Sequence, residues 1–137
     1  MNIPKPKARK RVGVTVAYLD RAFSKYIRAR DSKAYDGAFF RCISCNEVKV
    51  FQQADCGHYL GRQYYATRWS DINCKSQCRY CNRFNEGLKH KFRESLVRMH
   101  GLEEIERLEA MHRTGRRPKP WECEIILGEI KAKMAAL

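Results

Sequence analysis

Two Cys-x-x-Cys pairs constrain the fold of this chain more than any other feature of its sequence. Cys42 and Cys45 form the first pair, and Cys78 and Cys81 form the second. Each pair places two thiolates within reach of one ion, and two pairs complete a tetrahedral four-sulfur site. Four protein ligands leave no open coordination position. We therefore predict a structural zinc ion whose binding energy contributes directly to folding.

The other three cysteines are expected to be small buried hydrophobic residues. The chain has seven cysteines, an odd number, and no apolar signal segment precedes them. A role as metal ligands is therefore favoured over disulfides for the two pairs. Cys74 stands four residues before Cys78 and is a competing zinc ligand, although its spacing fits less well. The residues without an expected metal role are Cys56, Cys74 and Cys123.

The distribution of charge predicts a polyanionic partner for the first hundred residues. The chain of 137 residues carries a net charge of +13, with +8 in residues 1–41, +5 in 42–100 and zero in 101–137. Such a basic, uneven chain is typical of nucleic-acid binding. No apolar run approaches the ~20 residues that span a bilayer. We expect a cytoplasmic protein whose partner is a nucleic acid and not a membrane.

The periodicity of the sequence predicts an α+β fold around the zinc ion. Residues 1–14 are expected to be a flexible basic arm, which either adds phosphate contacts or has no role. Residues 15–113 form the zinc-containing domain with flanking helices, and residues 114–137 are a linker and a C-terminal helix. A helix is predicted from the N-cap Thr15 to Ser32, with a buried face of Val16, Leu19, Phe23, Tyr26 and Ile27.

Strands are predicted on both sides of the first cysteine pair. Ala38–Arg41 reads as one strand and Glu47–Ala54 as a second, with Val48, Val50 or Phe51 inward. Residues 61–71 show no period and are predicted to be a loop.

Helices are predicted for the rest of the chain. The first runs from Cys78 to His100 with Leu88, Phe92, Leu96 and Met99 inward, and the second from Leu102 to Arg113 with Leu102, Ile105, Leu108 and Met111 inward. The last covers Trp121–Leu137, with Ile126, Ile130 and Met134, or Leu127 and Leu137, as its apolar stripe.

The segment between the cysteine pairs carries groups capable of chemistry. It contains His58 in the run Asp55-Cys-Gly-His-Tyr59, and Asn82 directly follows the last zinc cysteine. A zinc site joining the two pairs brings His58 and Asn82 together. These features favour a metal-dependent nuclease built on a structural zinc ion.

Several motifs resemble those of the lambda NinG (Rap) recombination endonuclease family. They are Leu19-Asp20 through Tyr26-Ile27-Arg28-x-Arg30-Asp31, then Cys42-x-x-Cys45, Asp55-Cys-Gly-His58-Tyr59, Asn73, and Gln77-Cys78-x-x-Cys81-Asn82 with Gly87 after them. The resemblance covers roughly residues 18–108. More broadly, the arrangement is similar to HNH (His-Me finger) nucleases with a four-cysteine zinc, including phage endonuclease VII.

The resemblance implies a ββα-metal, treble-clef-like core and a role for each motif residue. His58 is the general base, Asn73 holds the loop or orients His58, and Asn82 supplies an oxygen to a catalytic Mg²⁺ or Mn²⁺. Many HNH nucleases carry an acidic metal ligand directly before the base, where this chain has Gly57. Asp55 is our preferred second ligand, with Glu86 and His90 as alternatives.

The expected partner is DNA, which the resemblance specifies as a branched recombination intermediate such as a D-loop or Holliday junction. The C-terminal helices either form a homodimer interface or pack on the core. The predicted DNA contacts are Arg62, Tyr64, Tyr65, Arg68, Arg28, Arg30, Lys10 and Arg11.

A second interpretation keeps the charge and the zinc ion and omits catalysis. It describes a zinc-ribbon-like DNA-binding protein that is a recombination accessory or regulatory factor. That interpretation gives His58 and Asn82 no chemical role.

Overall fold

The computed structural model describes residues 1–5, 13–84, 86 and 88–137. Lys10, Arg11 and Gly87, named above as candidates, lie outside these residues. The described chain combines helices with two small antiparallel sheets, so the predicted α+β class is confirmed. No helix within the described ranges is long and apolar enough to cross a membrane.

Helix α1 (Val16–Ser32) lies at the centre of the main hydrophobic core. Its N-terminus is capped as predicted, because the hydroxyl of Thr15 accepts the backbone N–H of Tyr18 at 3.1 Å. The helix packs against α5 (Pro120–Ala135) and against the strands that carry the candidate site. The predicted buried face is confirmed for Val16, Leu19, Phe23, Tyr26 and Ile27.

The first sheet is a small hairpin of β1 (Phe39–Arg41) and β2 (Val48–Val50). The predicted strand over residues 47–54 is wrong in extent, because a 3₁₀ turn at Phe51–Gln53 ends β2. The inward placement of Val48 and Val50 is also wrong, since both are 42 % exposed. The alternation of apolar and polar residues correctly predicted a strand, but it did not show which side of the strand is buried. The buried residue of this hairpin is Phe40 of β1.

The second sheet pairs β3 (Ala54–His58) with β4 (Cys74–Cys78) in antiparallel register. Helix α2 (Arg79–Arg83) follows β4 without a break. The sequence did not predict β4 because it carries polar residues where a buried strand normally carries apolar ones. Lys75, Ser76 and Gln77 are nevertheless all buried.

Helices α3 (Lys89–His100) and α4 (Leu102–Met111) pack against Ile43, which lies between the two cysteines of the first pair. The prediction of one continuous helix from Cys78 to His100 is wrong, because the backbone at Leu88 is left-handed with φ +49° and α3 begins after it. Both helices bury only their middle turns, against Ile43 and each other. The buried predictions hold for Phe92, Leu96, Ile105 and Leu108, whereas Met99, Leu102 and Met111 are exposed.

Helix α5 packs on α1 through Cys123, Leu127 and Ile130. Of the two predicted stripes, Ile130 and Leu127 are buried, whereas Met134 and Leu137 are exposed. This packing accounts for one face of α5. The homodimer and the domain boundaries stay predictions.

Replacement of Leu127 by Ala should destabilise the protein by about 2–5 kcal/mol, because the change leaves a cavity between α5 and α1. Urea denaturation measures this free energy of unfolding. The matched control is Ile125→Ala on the same helix, where the side chain is 54 % exposed and a change within about 0.5 kcal/mol is expected. Equal losses in both variants would contradict the packing of α5 described here.

Candidate active site and metal centre

The four cysteines of the two pairs converge on one point. The Sγ atoms of Cys42, Cys45, Cys78 and Cys81 all lie within 4.8 Å of one another. The first pair follows β1, Cys78 ends β4 and Cys81 lies in α2, so the cluster joins the two sheets and the short helix. The backbone N–H of Cys78 donates to Cys42 Sγ at 3.3 Å. This set fits the tetrahedral sulfur coordination of a structural zinc ion.

The pKa values of these thiols are also consistent with a cation-binding site. Burial, and then the neighbouring thiols, raises the pKa of Cys45 and Cys81. Burial likewise opposes ionisation of Cys42, but backbone N–H groups outweigh it and lower the pKa of that thiol. Several thiolates this close repel one another, and a divalent cation at their centre offsets the repulsion.

Beside the zinc-binding cluster lies a polar cleft of about 590 Å³. It is formed by α1, β3, the loop after β3, α2 and the first residue of α3. The cleft mixes carboxylates, cations and the imidazole of His58. Its lining includes Asp20, Asp55, Cys56, His58, Arg62, Asn82, Arg83 and Lys89.

His58 ends β3 and is half-buried in this cleft. Its Nε2 lies 2.9 Å from the carbonyl oxygen of Arg68. A carbonyl only accepts hydrogen bonds, so Nε2 carries the proton and Nδ1 holds the lone pair. Burial lowers the pKa of His58 to about 4, which keeps the ring neutral at neutral pH. A neutral imidazole with a free Nδ1 is able to accept a proton.

The carbonyl that holds His58 is itself fixed by a clamp on Asp20. The guanidinium of Arg68 donates to both carboxylate oxygens of Asp20, at 3.0 and 2.6 Å, and Trp69 Nε1 donates to the same carboxylate at 3.0 Å. Burial opposes the charge on Asp20, yet the Arg68 partner leaves its pKa lowered. Asp20 therefore positions His58 through the backbone of Arg68. Asp20 belongs to one of the family motifs and Arg68 was a predicted DNA contact, but no local pattern links them, because α1 and the loop are far apart along the chain.

Asn73 holds the loop between β3 and β4. Its side-chain oxygen accepts the N–H of Leu60 at 2.8 Å, and its amide nitrogen donates to the carbonyls of Leu60 at 2.9 Å and Thr67 at 3.0 Å. Asn73 is completely buried. Of the two roles that the resemblance implied, these contacts correspond to holding the loop.

Asp55 of β3 and Asn82 of α2 meet in the same cleft. The amide nitrogen of Asn82 donates to Asp55 Oδ2 at 3.0 Å, a contact that does not use the Asn82 amide oxygen. Arg83 also binds the Asp55 carboxylate, at 3.1 and 3.3 Å, and Arg79 lies 4.0 Å away. A carboxylate and an amide oxygen are the kinds of ligand that a hard divalent cation binds, and Asp55 and Asn82 carry both.

The position directly before His58 has no room for a side chain. A Cβ on Gly57 would lie 2.8 Å from the Cβ of Gln77 and 2.4 Å from its Oε1. Gln77 is fully buried on β4 and cannot easily move aside. The packing of β3 on β4 therefore leaves no room for an acidic side chain at position 57. Glu86 and His90, the alternative ligands, are exposed and lie outside the described lining of the cleft.

The predicted DNA contacts are placed unequally. Arg62 is exposed at the cleft, whereas Arg68 and Arg30 are bound to Asp20 and Asp31 within the protein. The other aromatic and basic candidates make internal contacts but keep accessible surface. Tyr64 packs on His112, Tyr65 beside Trp69, and Arg28 over Phe51.

One comparison with known proteins identifies a family. A family model described as Bacteriophage Lambda NinG protein matches residues 4–137. The match extends at both ends beyond residues 18–108, which carried the resemblance in the sequence. No curated protein and no solved structure matches the chain.

Replacement of Cys78 by Ser should abolish the binding of one tightly held zinc ion and unfold the protein, because structural zinc binding is coupled to folding. Metal analysis and circular dichroism of the purified variant measure the two effects. The control is Cys123→Ser, a buried cysteine outside the cluster, which should keep its zinc. A well-folded protein purified without zinc would rule out this role for the cysteines.

Replacement of Asp20 by Asn should loosen the carbonyl that fixes the ring of His58. Imidazole ¹⁵N shifts should show the proton on Nε2 in the native protein and a mixture of tautomers in the variant. Asp36→Asn, at an exposed turn, is the matched control and should keep the native shifts. Native shifts in both variants would remove the positioning role of Asp20.

Proposed function

The chain belongs to the bacteriophage lambda NinG family, and from this premise we propose that it is a metal-dependent endonuclease. Its substrate is branched DNA of phage recombination, such as D-loops and Holliday junctions. This substrate class comes from the family resemblance. The hydrolytic chemistry is supported separately by the cleft.

The observation that carries the proposal is that His58 and the Asp55–Asn82 pair line the same cleft. The chain order of β3, β4 and α2 beside a four-cysteine cluster also supports an HNH-type ββα-metal core like that of endonuclease VII. A zinc ion bound by Cys78 and Cys81 would hold α2 against the end of β4. It would thereby fix the position of Asn82, which directly follows Cys81. The proposed base comes from one strand and the proposed metal ligand from the helix.

Hydrolysis of a phosphodiester requires a base that removes a proton from the attacking water. We assign this role to Nδ1 of His58, because the Arg68 carbonyl fixes the proton on Nε2. Proton uptake at Nδ1 creates an imidazolium whose Nε2–H still donates to that carbonyl. The Asp20 clamp then keeps the ring oriented through the reaction.

The residues available for a catalytic Mg²⁺ or Mn²⁺ are Asp55 and Asn82. Mg²⁺ keeps several waters and needs only one or two protein oxygens, which these side chains provide. When bound, the cation stabilises the charge that develops on the phosphate and the leaving oxygen. Arg62, Arg83 and Lys89 surround the cleft with positive charge and are suited to holding the DNA backbone.

One observation favours the non-catalytic alternative. The carboxylate of Asp55 is already bound by Asn82 and Arg83, which is a complete set of partners without a metal ion. In a zinc-containing DNA-binding accessory protein, this arrangement would serve only to join β3 to α2. Activity measurements separate the two proposals.

Replacement of His58 by Ala should lower the rate of Mg²⁺-dependent nicking of branched DNA by roughly 10²–10⁴-fold, because the base is lost. Binding of the same DNA should change little, since it depends on phosphate contacts and on salt. The matched control is His90→Ala on α3, an exposed histidine outside the cleft lining, which should keep the native rate.

Two outcomes would count against the proposal. Cutting that survives His58→Ala would remove His58 as the base. Equal, salt-sensitive DNA binding by all three proteins without any cutting would favour the accessory alternative. Zinc content and circular dichroism of each protein establish that the variants are folded.

A further inference from the structure

A second group of metal-binding side chains lies on the β3–β4 sheet, apart from the four-cysteine cluster. Cys56 and His58 stand two residues apart on β3, and Cys74 pairs directly with His58 across the ladder. One ligand atom from each of the three residues lies within 4.8 Å of the other two. This is the same proximity that unites the four zinc cysteines. The two groups share no residue.

The three side chains differ in how much solvent reaches them. Cys56 and His58 are half-buried and line the cleft, whereas Cys74 is completely buried behind them. Two thiolates and one imidazole are a known ligand set for zinc, and three protein ligands leave one coordination position open. An ion held by this group is therefore reached from the cleft.

We propose that Cys56, His58 and Cys74 form a second binding site for a thiophilic divalent cation of the zinc class. Two thiolates and a neutral imidazole balance the charge of such an ion. Mg²⁺ prefers oxygen ligands and does not compete for this set. The site is thus chemically distinct from the oxygen pair of Asp55 and Asn82.

The surroundings of the three ligands support the assignment. A histidine that binds a metal commonly donates its other ring N–H to a backbone carbonyl, and His58 already makes such a bond to Arg68. The Cys74 sulfur lies 3.6 Å from the same carbonyl and 3.9 Å from the amide nitrogen of Asn73. When Cys74 binds a metal as a thiolate, the Asn73 amide remains as a donor to the sulfur.

Occupancy of this site removes His58 from proton transfer, because the metal takes the lone pair of one ring nitrogen. Zinc bound here is therefore an inhibitor of the nuclease, while zinc at the four-cysteine cluster is required for folding. This consequence rests on the proposed function. The binding site itself does not.

The site is tested first by metal stoichiometry. The full chain, kept reduced and carrying its tightly bound zinc, is titrated with added Zn²⁺ under equilibrium dialysis. We expect a second equivalent in the native protein and in Cys123→Ala, and only the first in Cys56→Ala. A native protein that binds one equivalent, or a Cys56→Ala variant that still binds two, would overturn the proposal.

Cobalt(II) gives a measurement on the native protein alone. Added to the zinc-loaded chain, Co²⁺ should produce thiolate-to-cobalt charge-transfer absorption, since the four-cysteine cluster is already filled. Absence of this absorption would also overturn the proposal, whatever the folding of the variants.

Inhibition is tested by adding Zn²⁺ to the Mg²⁺-dependent nicking reaction. The rate of each protein is compared with its own rate before zinc is added. We expect Cys56→Ala to need about tenfold more zinc than the native protein or Cys123→Ala for half inhibition, a shift equal to about 1.4 kcal/mol of binding free energy. Equal sensitivity would overturn the inhibitory role. If no protein cuts DNA, the proposed function fails while the stoichiometry still decides the site.

Discussion

The convergence of four thiols on one point is the constraint on which the rest of this structure depends. The cluster ties the β1–β2 hairpin to β4 and α2, and its cysteines share one small apolar core with Phe40 and Ala54. A small basic domain has a limited hydrophobic core, so a zinc ion held by these thiols would contribute much of its stability. The cluster also fixes one side of the cleft, because Asn82 directly follows Cys81 of the cluster and Asp55 of β3 accepts a hydrogen bond from Asn82.

Polar contacts, rather than apolar packing, build the other half of the cleft. Asn73 holds the loop after His58 from inside, and Asp20 fixes the same loop from α1 through Arg68 and Trp69. Buried polar side chains with several partners specify one arrangement, since each lost hydrogen bond leaves an unsatisfied group. The orientation of His58 therefore depends on residues at a distance along the chain. The same compact arrangement brings Cys56 and Cys74 against its ring.

The sequence predicted the parts of the fold that depend on local pattern. The buried face of α1 follows from the helical period and the convergence of the two cysteine pairs follows from their ligand spacing, and both agree with the structure. The β4 strand escaped prediction because Lys75 and Gln77 are polar residues buried by tertiary contacts, which no local pattern reports. The prediction that Met99 is buried was wrong for a related reason. Met99 lies at the helical spacing of the apolar face, but α3 buries only its middle turns.

The candidate site shows the same division. His58, Asn73 and Asn82 were identified from motifs, whereas the link from Asp20 to Arg68 depends on two segments that meet only in the fold.

The most direct test of the central claim is anomalous diffraction from crystals of the protein with Mn²⁺ and a DNA substrate. We predict manganese bonded to an oxygen of Asn82 or Asp55, with the scissile phosphate between the ion and His58. Manganese absent from this cleft, or DNA bound on another face of the protein, would contradict the account.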